Sequence, residues 1–445
     1  MVALGLIALL VLGVPVGVAF ALVVFVKADA WNIDPYSLAA LPYDTISNFP
    51  LLAIPLFLLV GELMNRGGLV RQLTAVCDLL LARVRAPMGH IMVAASGLMG
   101  AITGSSVATV AAIGSTVGAE MGRRGYPVGY TAALNASAGL LGVLIPPSIP
   151  LILYGSIVGV SITQLFLAAV LPGILTMGVF FLIHALLSRR VLPGGQESRA
   201  EPAAVRARQA AAGQGGRAAD GAVAAAVPAT GRAALVLRSV PALLLPVLVL
   251  GGIYSGVFTP TEAAAVAGVY ALAVVLLARA ARGGELARTF ERAALASAAI
   301  LVIIGFTSVF NRAMVLEQIP QAIAEFAAGY TTSAWVFLIV VNLVLLFVGM
   351  FMETNAATLL MGPLLAPAAI KFGIDPVHFG IILVTNIELG LLTPPLATNL
   401  FVAARTNGAR LTQMMPHVPW FMAGALAVLL LITFVPGVSL WYRLL

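Results

Sequence analysis

Long apolar runs recur along this sequence and constrain its fold more than any other feature. A run of about 20 apolar residues in helical form matches the hydrocarbon thickness of a bilayer. Such runs occupy residues 3–26, 48–64, 128–158, 163–188, 239–258, 261–280, 293–311, 377–404 and 416–442. Because 61% of the residues are hydrophobic and only 9% are charged, the chain lacks the polar surface of a soluble globule. The sequence therefore predicts an all-α polytopic membrane protein.

The few polar and titratable residues exclude several kinds of chemistry. The single Cys77 excludes an internal disulfide, and the four histidines match no zinc-ligand spacing. We therefore expect no cofactor and neither redox nor zinc chemistry. The net charge of +7 is spread over short loops, without a DNA-binding motif, so no nucleic-acid partner is predicted. Basic loops between apolar runs are typical of the cytoplasmic side of a membrane protein. We expect the apolar runs themselves to contact membrane lipid.

Two apolar regions, 88–121 and 335–371, are interrupted by polar tips. The tips read "ITGSSVA" at residues 102–108 and "FMETNAA" at residues 351–357. Each arm has about 16 residues, and at ~1.5 Å per residue it spans ~24 Å, which is less than the ~30 Å hydrocarbon core. We interpret both regions as re-entrant helical hairpins.

The loop arginines predict the orientation. Arg83 and Arg85 precede the first hairpin, and Arg123 and Arg124 follow it. If these loops are cytoplasmic, the N-terminus is cytoplasmic and the second hairpin enters from the opposite side. The first apolar run has no basic segment before it and no clear cleavage site, so we expect it to remain as a membrane span.

An internal repeat relates the two halves of the chain. A shift of 248 residues places "LGVLIPP" at 141–147 over "LGLLTPP" at 389–395, and it places Ser105 and Ser106 over Glu353 and Thr354. Hairpins that enter from opposite sides make this an inverted repeat, as in many secondary transporters. The predicted organisation is a first half at 1–188, a flexible cytoplasmic linker at 189–238 and a second half at 239–445. In each half, scaffold helices accompany a hairpin (88–121 or 335–371) and a broken helix (128–158 or 377–404), and a last helix spans 416–442.

The Pro-Pro pairs predict breaks that expose backbone carbonyls. Proline lacks an N–H, so the carbonyls near residues 141–143 and 390–392 lose their usual donors. Irregular backbone at membrane depth must be covered by protein or line a cavity, and hard cations such as sodium prefer carbonyl and hydroxyl oxygens. We therefore predict one cation site in each half, where a hairpin tip faces a break. The tip and break side chains that offer oxygens are Ser105, Ser106, Thr354, Asn355 and Thr393.

Other intramembrane polar residues have two interpretations. Glu353 is either a functional carboxylate or a cap at the start of the second arm. Residues shortly before the two breaks either line a polar substrate cavity or pair with neighbouring helices: Asn135, Ser137, Asn386 and Glu388.

Several motifs together resemble a known family. "NFPLLAIPLFLLVGELMNRGG", "ITGSSVATVAAIGS", "IPPSIPLILYG", "GGIYSGVFTPTEAAAVAGVYAL" and "GLLTPPLATNLFVA" are similar to the large membrane subunit of tripartite ATP-independent periplasmic (TRAP) transporters. The resemblance covers 1–188 and 233–445. The segment 193–232 is longer than the family pattern, and residues 396–398 read Leu-Ala-Thr where the family more often has a Val-Gly step.

The resemblance implies a sodium-coupled importer of an organic acid in the bacterial inner membrane, with an elevator-type ion-transporter fold. It implies a small four-helix membrane subunit and a periplasmic binding protein as partners, and a dicarboxylate, a sialic acid or another carboxylate as substrate. The implied sodium sites are Ser105, Ser106, Gly142 and Pro146 in the first half, and Thr354, Asn355, Gly390, Thr393 and Pro394 in the second. The alternative is a self-sufficient sodium/dicarboxylate symporter of the same fold, which needs no binding protein. No hydrolase motif is present.

Overall fold

The computed structural model describes residues 16–28, 34–81, 84–192, 232–278, 280 and 283–444, with the single residues 9, 12 and 14. In this part of the chain the regular structure is entirely helical, which confirms the predicted all-α class. Most of the predicted linker, 193–231, lies outside the described residues. At its two ends, helices continue to Val191 and begin again at Arg232.

The helices fall into two groups, one on each side of the linker. The first group comprises α1 Val16–Lys27, α2 Pro35–Ile46, α3 Ala53–Arg66, α4 Leu69–Leu81, α5 Pro87–Thr103, α6 Ser106–Ile113 with a π-helical segment Gly114–Gly118, α7 Ala119–Arg123, α8 Val128–Ala138, α9 Leu141–Leu144, α10 Ile149–Val158 and α11 Ile162–Val191. The second group comprises α12 Arg232–Tyr254, α13 Pro260–Leu277, α14 Gly283–Leu316, α15 Ile319–Tyr330, α16 Ala334–Phe351, α17 Thr354–Lys371, α18 Pro376–Gly390, α19 Thr398–Asn407, α20 Leu411–Met414, α21 Val418–Phe434 and α22 Pro436–Ser439.

The 248-residue repeat extends well beyond the motifs that revealed it. Adding 248 to the bounds of α5 gives 335–351, and the observed α16 is Ala334–Phe351. Adding 248 to the start of α6 and the end of α7 gives 354–371, the bounds of α17. The two hairpins therefore occupy equivalent positions in the two halves.

Helices of one half pack against helices of the other, and each such contact has a counterpart in which the two halves change places. Helix α1 packs on α14, and its repeat equivalent α13 packs on α3. Likewise α10 packs on α17 of the second hairpin, whereas α19 packs on α6 of the first hairpin and on α8. Contacts that exchange in this way are what a two-fold relation between the halves requires. The repeat thus brings both hairpins and both broken helices into one central body.

Among the described residues, six helical segments are long and apolar enough to cross a bilayer: Phe49–Arg66, Val128–Val158, Ile162–Val191, Pro260–Leu277, Gly283–Leu316 and Ala334–Phe351. Their burial separates two roles. In the most apolar 18-residue stretch of the first broken helix, Val128–Val158, 94% of the stretch is buried. In Ala334–Phe351 only 28% is buried. The broken helix is therefore enclosed by protein, as irregular backbone at membrane depth requires, while the other segment has an exposed apolar face.

Some helix bounds differ from the sequence expectation. Helix α21 ends at Phe434, short of the predicted 442, because Pro436 cannot supply a backbone donor within a continuing helix. The α4 and α15 helices, at Leu69–Leu81 and Ile319–Tyr330, were not predicted, since at 13 and 12 residues they are too short to span a bilayer. Helix α4 buries Val70, Leu73 and Cys77, the spacing of one helical face.

Side-chain caps fix several helix starts. Thr259 and Glu262 form a capping box at the start of α13, where the Thr259 N–H donates to the Glu262 carboxylate at 2.8 Å. Asp375 caps α18 by accepting from the Val377 and His378 N–H groups at 2.8 and 3.1 Å. Asp375 also pairs with Arg443 at 2.8 Å, and this bond raises the pKa of the Arg443 guanidinium.

We predict that Asp375→Ala lowers the thermal midpoint of the purified protein more than Arg443→Ala does. Loss of a capping carboxylate costs about 1 kcal/mol, whereas a solvent-exposed ion pair contributes roughly 0–1 kcal/mol. The measurement is a thermal unfolding curve in detergent for the two variants and the wild type. Equal losses would assign the effect to the ion pair and contradict the capping role.

Candidate functional site

The first hairpin turns at Gly104 and Ser105. Gly104 has φ +62°, a conformation that glycine adopts without strain, and its N–H donates to the Gly100 carbonyl at 3.1 Å. Ser105 is extended and caps α6 through its side chain. The Thr109 hydroxyl donates to the Ser105 carbonyl at 2.9 Å and lies 3.2 Å from the Thr103 hydroxyl. The tip is thus a compact group of hydroxyls and a carbonyl.

This tip lies directly against the first Pro-Pro break. The Ile149 N–H donates to the Gly104 carbonyl at 3.2 Å. A Cβ added to Gly142 would lie 2.7 Å from the Ser105 carbonyl oxygen and 3.0 Å from the Ser106 Cα. Only glycine permits this approach, so Ser105, Ser106 and Gly142 lie close together.

The second hairpin turns at Met352 and Glu353, and Glu353 caps α17. Its carboxylate accepts from the Asn355 and Ala356 N–H groups at 3.0 and 3.3 Å, and from the Asn355 side-chain amide at 2.7 Å. These contacts favour the capping interpretation of Glu353, although its side chain remains exposed. The backbone N–H and the side-chain amide of Asn355 therefore both donate to the Glu353 carboxylate.

The second break also bonds to its own hairpin. The Leu396 N–H donates to the Met350 carbonyl at 3.2 Å, which parallels the bond of Ile149 in the first half. Gly349 and Gly390 form the crossing of α16 and α18, where a Cβ on Gly390 would collide with the backbone of Gly349. Both Pro-Pro peptide bonds are cis. Pro146 is buried, whereas Pro394 is exposed.

Glu388, on α18, bonds to the tip of the second hairpin. Its side chain is fully buried, and its Oε1 accepts from the Thr354 hydroxyl at 2.7 Å. Ser106 and Thr354 are equivalent in the 248-residue repeat, and both are the first residues of helices that start at a hairpin tip. The buried carboxylate therefore holds the hydroxyl at the tip of the second hairpin.

Several predicted site residues lie away from this centre. Thr393 directs its hydroxyl toward the Leu389 carbonyl at 3.5 Å and the Met422 sulfur at 3.7 Å. Ser137 bonds back to the Ala133 carbonyl at 2.8 Å, as hydroxyls inside helices often do.

The two asparagines that precede the breaks form hydrogen bonds between helices. Asn135 donates to the Val110 carbonyl of α6 at 3.0 Å. Asn386 donates to the Asn342 carbonyl and amide oxygens at 2.9 and 2.6 Å, which ties α18 to α16. The pairing interpretation of both residues is therefore favoured by their geometry.

The prediction of free carbonyls at the breaks needs correction. The Leu141 carbonyl accepts from the Ile145 N–H at 3.1 Å, and the Gly390 carbonyl accepts from the Thr393 N–H at 2.9 Å in a tighter turn. The residue four positions after Leu141 is Ile145, which keeps its N–H and makes the regular helical bond. For Gly390 that residue is Pro394, and the N–H three residues later takes its place. Pro146 and Pro147 still remove the usual donors for the carbonyls of Gly142 and Val143.

Two buried polar residues were not predicted as sites. Glu388 was noted only as one of several residues before the break. Asn399 is fully buried in α19, and neither amide atom has a hydrogen-bond partner among the described residues. The spacing signals that identify zinc or catalytic motifs do not apply to one carboxylate or one amide. Only their position beside the repeated Pro-Pro motif could have singled them out.

A cavity of about 240 Å³ lies between α2, α10 and α14. Its lining carries amides and hydroxyls together with aliphatic side chains: Thr45, Asn48, Leu51, Ser156, Ile157, Ile304, Ser308 and Asn311. The described lining contains no charged side chain, so it offers hydrogen bonds to a small polar solute without ion pairing.

A family model described as tripartite ATP-independent periplasmic transporter, DctM component, matches residues 3–438. The chain belongs to this family. A DctM protein of Pseudomonas aeruginosa, named a C4-dicarboxylate TRAP transporter large permease protein, is 38% identical over 91% of this chain and 88% of its own length. The DctMQ protein of Oleidesulfovibrio alaskensis, named an isethionate TRAP transporter permease protein, is 36% identical over 97% of this chain and 64% of its own length. Both relatives extend the DctM similarity over almost the whole sequence.

The fold of this DctM chain also resembles a solved membrane transporter. The crystal structure of the Alcanivorax borkumensis YdaH transporter matches with a TM-score of 0.59, covering 90% of this chain and 88% of the other. At 16% sequence identity this similarity shows the shared fold alone. The DctM chain is therefore a multi-pass permease subunit of a transporter, and its family is not an enzyme class.

Proposed function

We propose that this DctM chain imports a small organic acid into a bacterial cell by sodium symport. In this proposal it lies in the inner membrane with a cytoplasmic N-terminus, and it works with a small four-helix membrane subunit. A periplasmic binding protein delivers the substrate. The observation that carries the proposal is that each hairpin is bonded to the Pro-Pro break of its own half: the Gly104 carbonyl accepts from the Ile149 N–H, and the Met350 carbonyl accepts from the Leu396 N–H.

The oxygen chemistry of the tips supports sodium as the coupling ion. In the first half the Thr109 hydroxyl and the Ser105 carbonyl oxygen lie 2.6 and 2.7 Å from the position of a Cβ built on Gly142. Hard cations prefer such hydroxyl and carbonyl oxygens over nitrogen or sulfur. In the second half Thr354 takes the place that Ser106 has in the first. Thr393 and Asn355 are weaker candidates, because their side chains are engaged elsewhere.

The substrate class follows from the relatives and from the helix ends at the tips. C4-dicarboxylate and isethionate, the substrates named for the two relatives, are both small organic anions. Helices α6 and α17 begin at the tips, and the N-terminus of a helix favours negative charge. We therefore propose a small organic anion, with a C4-dicarboxylate as the first compound to test.

An elevator movement is consistent with how the halves are joined. The hairpins and the broken helices pack on one another across the repeat, so they can move as one unit against α3, α13 and α14. The arms of the first hairpin begin and end near basic residues, which favours entry from the cytoplasm. In this proposal both hairpins are re-entrant and the repeat is inverted.

Uptake into proteoliposomes tests the proposal directly. The chain is reconstituted with its neighbouring small subunit, and uptake of radiolabelled succinate, isethionate and sialic acid is measured with and without a sodium gradient and the binding protein. We expect uptake of at least one anion to require both. Sodium-driven uptake without the binding protein would support the self-sufficient symporter instead, and uptake independent of sodium would reject sodium coupling.

Side-chain variants refine the same measurement. Thr354→Ala and Ser106→Ala are expected to raise the sodium concentration for half-maximal uptake by about tenfold, the effect of losing roughly 1.4 kcal/mol of ion binding. Thr393→Ala is the matched control, because its hydroxyl bonds to Leu389 and Met422 and not toward the tips. A larger shift for Thr393→Ala than for Thr354→Ala would overturn this assignment.

A further inference from the structure

We propose that the cavity between α2, α10 and α14 binds an uncharged glycerol group, and that an occupant holds the hairpins against the surrounding helices and so inhibits uptake. The inhibition rests on the proposed function, in which the hairpins and the broken helices form one moving unit. Binding of the ligand does not depend on transport.

The polar walls of the cavity favour a neutral ligand with hydroxyl groups. The volume is about 240 Å³, far above the roughly 30 Å³ that one water molecule occupies in the liquid. Hydroxyl and amide side chains line the cavity from three segments of the chain: Thr45 and Asn48, Ser156, and Ser308 and Asn311. Because the described lining carries no charged side chain, a charged ligand would lose its water without gaining an ion pair. Hydroxyls and amides both donate and accept hydrogen bonds, as the hydroxyls of glycerol also do.

Some of these polar groups retain hydrogen-bonding capacity for a ligand. The Ser156 hydroxyl oxygen is buried in the wall that α10 forms, and it has no hydrogen-bond partner among the described residues. Asn48 precedes the short 3₁₀ helix Phe49–Leu52, but its side chain does not cap that helix. The Asn311 amide donates to the Leu359 carbonyl at 3.0 Å, which uses one of its two N–H donors. Since buried polar atoms are nearly always partnered, a ligand hydroxyl is the complement that Ser156 lacks.

The remaining walls are apolar and suit the carbon atoms of a glycerol ester. Leu51, Ile157 and Ile304 complete the lining. Removing the CH₂ groups of a ligand from water against these side chains is favourable, which distinguishes a glycerol ester from water as the occupant. Phe49 and Leu52, on either side of Leu51, are exposed and offer apolar surface to an ester chain. The shared ligand chemistry is therefore a glycerol group with free hydroxyls, either as a soluble polyol or as a membrane glyceride.

The cavity lies where the proposed moving unit meets the helices around it. Helix α10 packs on α17 of the second hairpin, whereas α2 packs on α14, which also packs on α1 and α3. The bond between Asn311 and Leu359 crosses the same boundary. A ligand bonded to Ser156 on one side and to Asn48 or Asn311 on the other must be released before the two sides slide. It therefore stabilises one arrangement of the two parts over the other.

This site is separate from the hairpin tips. Ile149, at the start of α10, bonds to Gly104 of the first hairpin, and Ser156 lies seven residues further along the helix. At ~1.5 Å per residue the separation along the helix is ~10 Å. An occupant should therefore lower the maximal uptake rate without changing the anion concentration for half-maximal uptake.

Cysteine labelling tests binding without transport. Ser156→Cys is introduced in a Cys77→Ala background, which removes the only native cysteine, and the full chain is purified with its small subunit. The rate of labelling by N-ethylmaleimide is measured with and without 1-monobutyrin, an uncharged glycerol ester. We expect 1-monobutyrin near saturation to slow labelling by at least about fivefold. Glycerol 3-phosphate, which is charged, should leave the rate unchanged.

Two comparisons make the labelling result decisive. Ser255→Cys, at an exposed position just after α12, is the matched control, and its labelling rate should not respond to 1-monobutyrin. Protection by glycerol as well as 1-monobutyrin would support a soluble polyol as the ligand, whereas protection by 1-monobutyrin alone would support a membrane glyceride. Protection by neither compound, equal protection by glycerol 3-phosphate, or equal slowing at Ser255→Cys would overturn the proposal.

Uptake into proteoliposomes tests the inhibition. We expect 1-monobutyrin to lower the maximal rate of wild-type uptake. Ser156→Ala and Asn48→Ala should each raise the 1-monobutyrin concentration for half-maximal inhibition by about fivefold, the effect of one lost hydrogen bond, and leave uptake without the compound near wild type. Protected labelling with uninhibited uptake would overturn the inhibitory role. Inhibited uptake that needs no sodium would support this role while rejecting the sodium coupling of the proposed function.

Discussion

Gly390→Val is expected to abolish uptake and to destabilise the protein. Gly390 and Gly349 bring the backbones of α18 and α16 into direct contact, and a Cβ on Gly390 would collide with the Gly349 backbone. Backbone atoms cannot rotate away as a flexible side chain can, so the two helices must separate. Overpacking in a close-packed interior costs typically about 1–3 kcal/mol, and here it also displaces the helix that carries Glu388. The measurements are uptake and the thermal midpoint in detergent.

Gly178→Val is the matched control for this prediction. Gly178 lies within α11, and no atom lies within 4 Å of a Cβ built there. The same substitution should therefore leave both uptake and thermal midpoint close to wild type, since valine is no worse a helix former than glycine. If Gly390→Val retained wild-type uptake, the close crossing would not be needed to position the site.

The equivalent crossing in the first half follows the same rule with different residues. There Gly100 of α5 lies against the backbone of Leu141 and Gly142, where it leaves no room for a Cβ. Glycines thus occupy the places where a hairpin arm meets a broken helix in both halves. Small residues at helix crossings are typical of membrane proteins, because they let backbones approach closely.

The sequence predicted the architecture of the broken helices because two strong signals coincide there. Pro-Pro inside an apolar run is a local signal for a break, and its recurrence after 248 residues makes coincidence a poor explanation. The arms, tips and breaks consequently lie close to their predicted positions. The short helices α4 and α15 escaped prediction because, at 13 and 12 residues, they are too short to give the signal of a membrane span.

The details of the site were less predictable, because they depend on side-chain direction. From the sequence, Thr393 and Glu388 are equally plausible partners for a tip, since both flank the second break. The observed turn of α18 directs Glu388 to Thr354 and Thr393 to Met422. A rotation of one helix by a fraction of a turn exchanges such roles, and the hydrophobic pattern of a fully buried helix does not fix that rotation.

Replacing Pro394 and Pro395 together by alanine is expected to abolish uptake while the protein still inserts into the membrane. Two alanines supply the N–H donors that prolines lack, so α18 can continue past Gly390 and its carbonyls gain regular partners. A continued helix carries Leu396 away from Met350 and breaks the bond that joins the break to its hairpin. The tip hydroxyl of Thr354 then loses its fixed position relative to Glu388.

Pro172→Ala provides the control for this last variant. Pro172 also lies in an apolar helix, but α11 continues through it to Val191 without a break. That variant should retain uptake. For the Pro394-Pro395 variant we expect normal membrane abundance, sodium-driven uptake reduced by at least about tenfold, and weakened sodium binding, since in our proposal the break positions the oxygens of the sodium site. Loss of uptake with unchanged sodium binding would place the role of the break in movement, while wild-type uptake would show that an interrupted helix is not required.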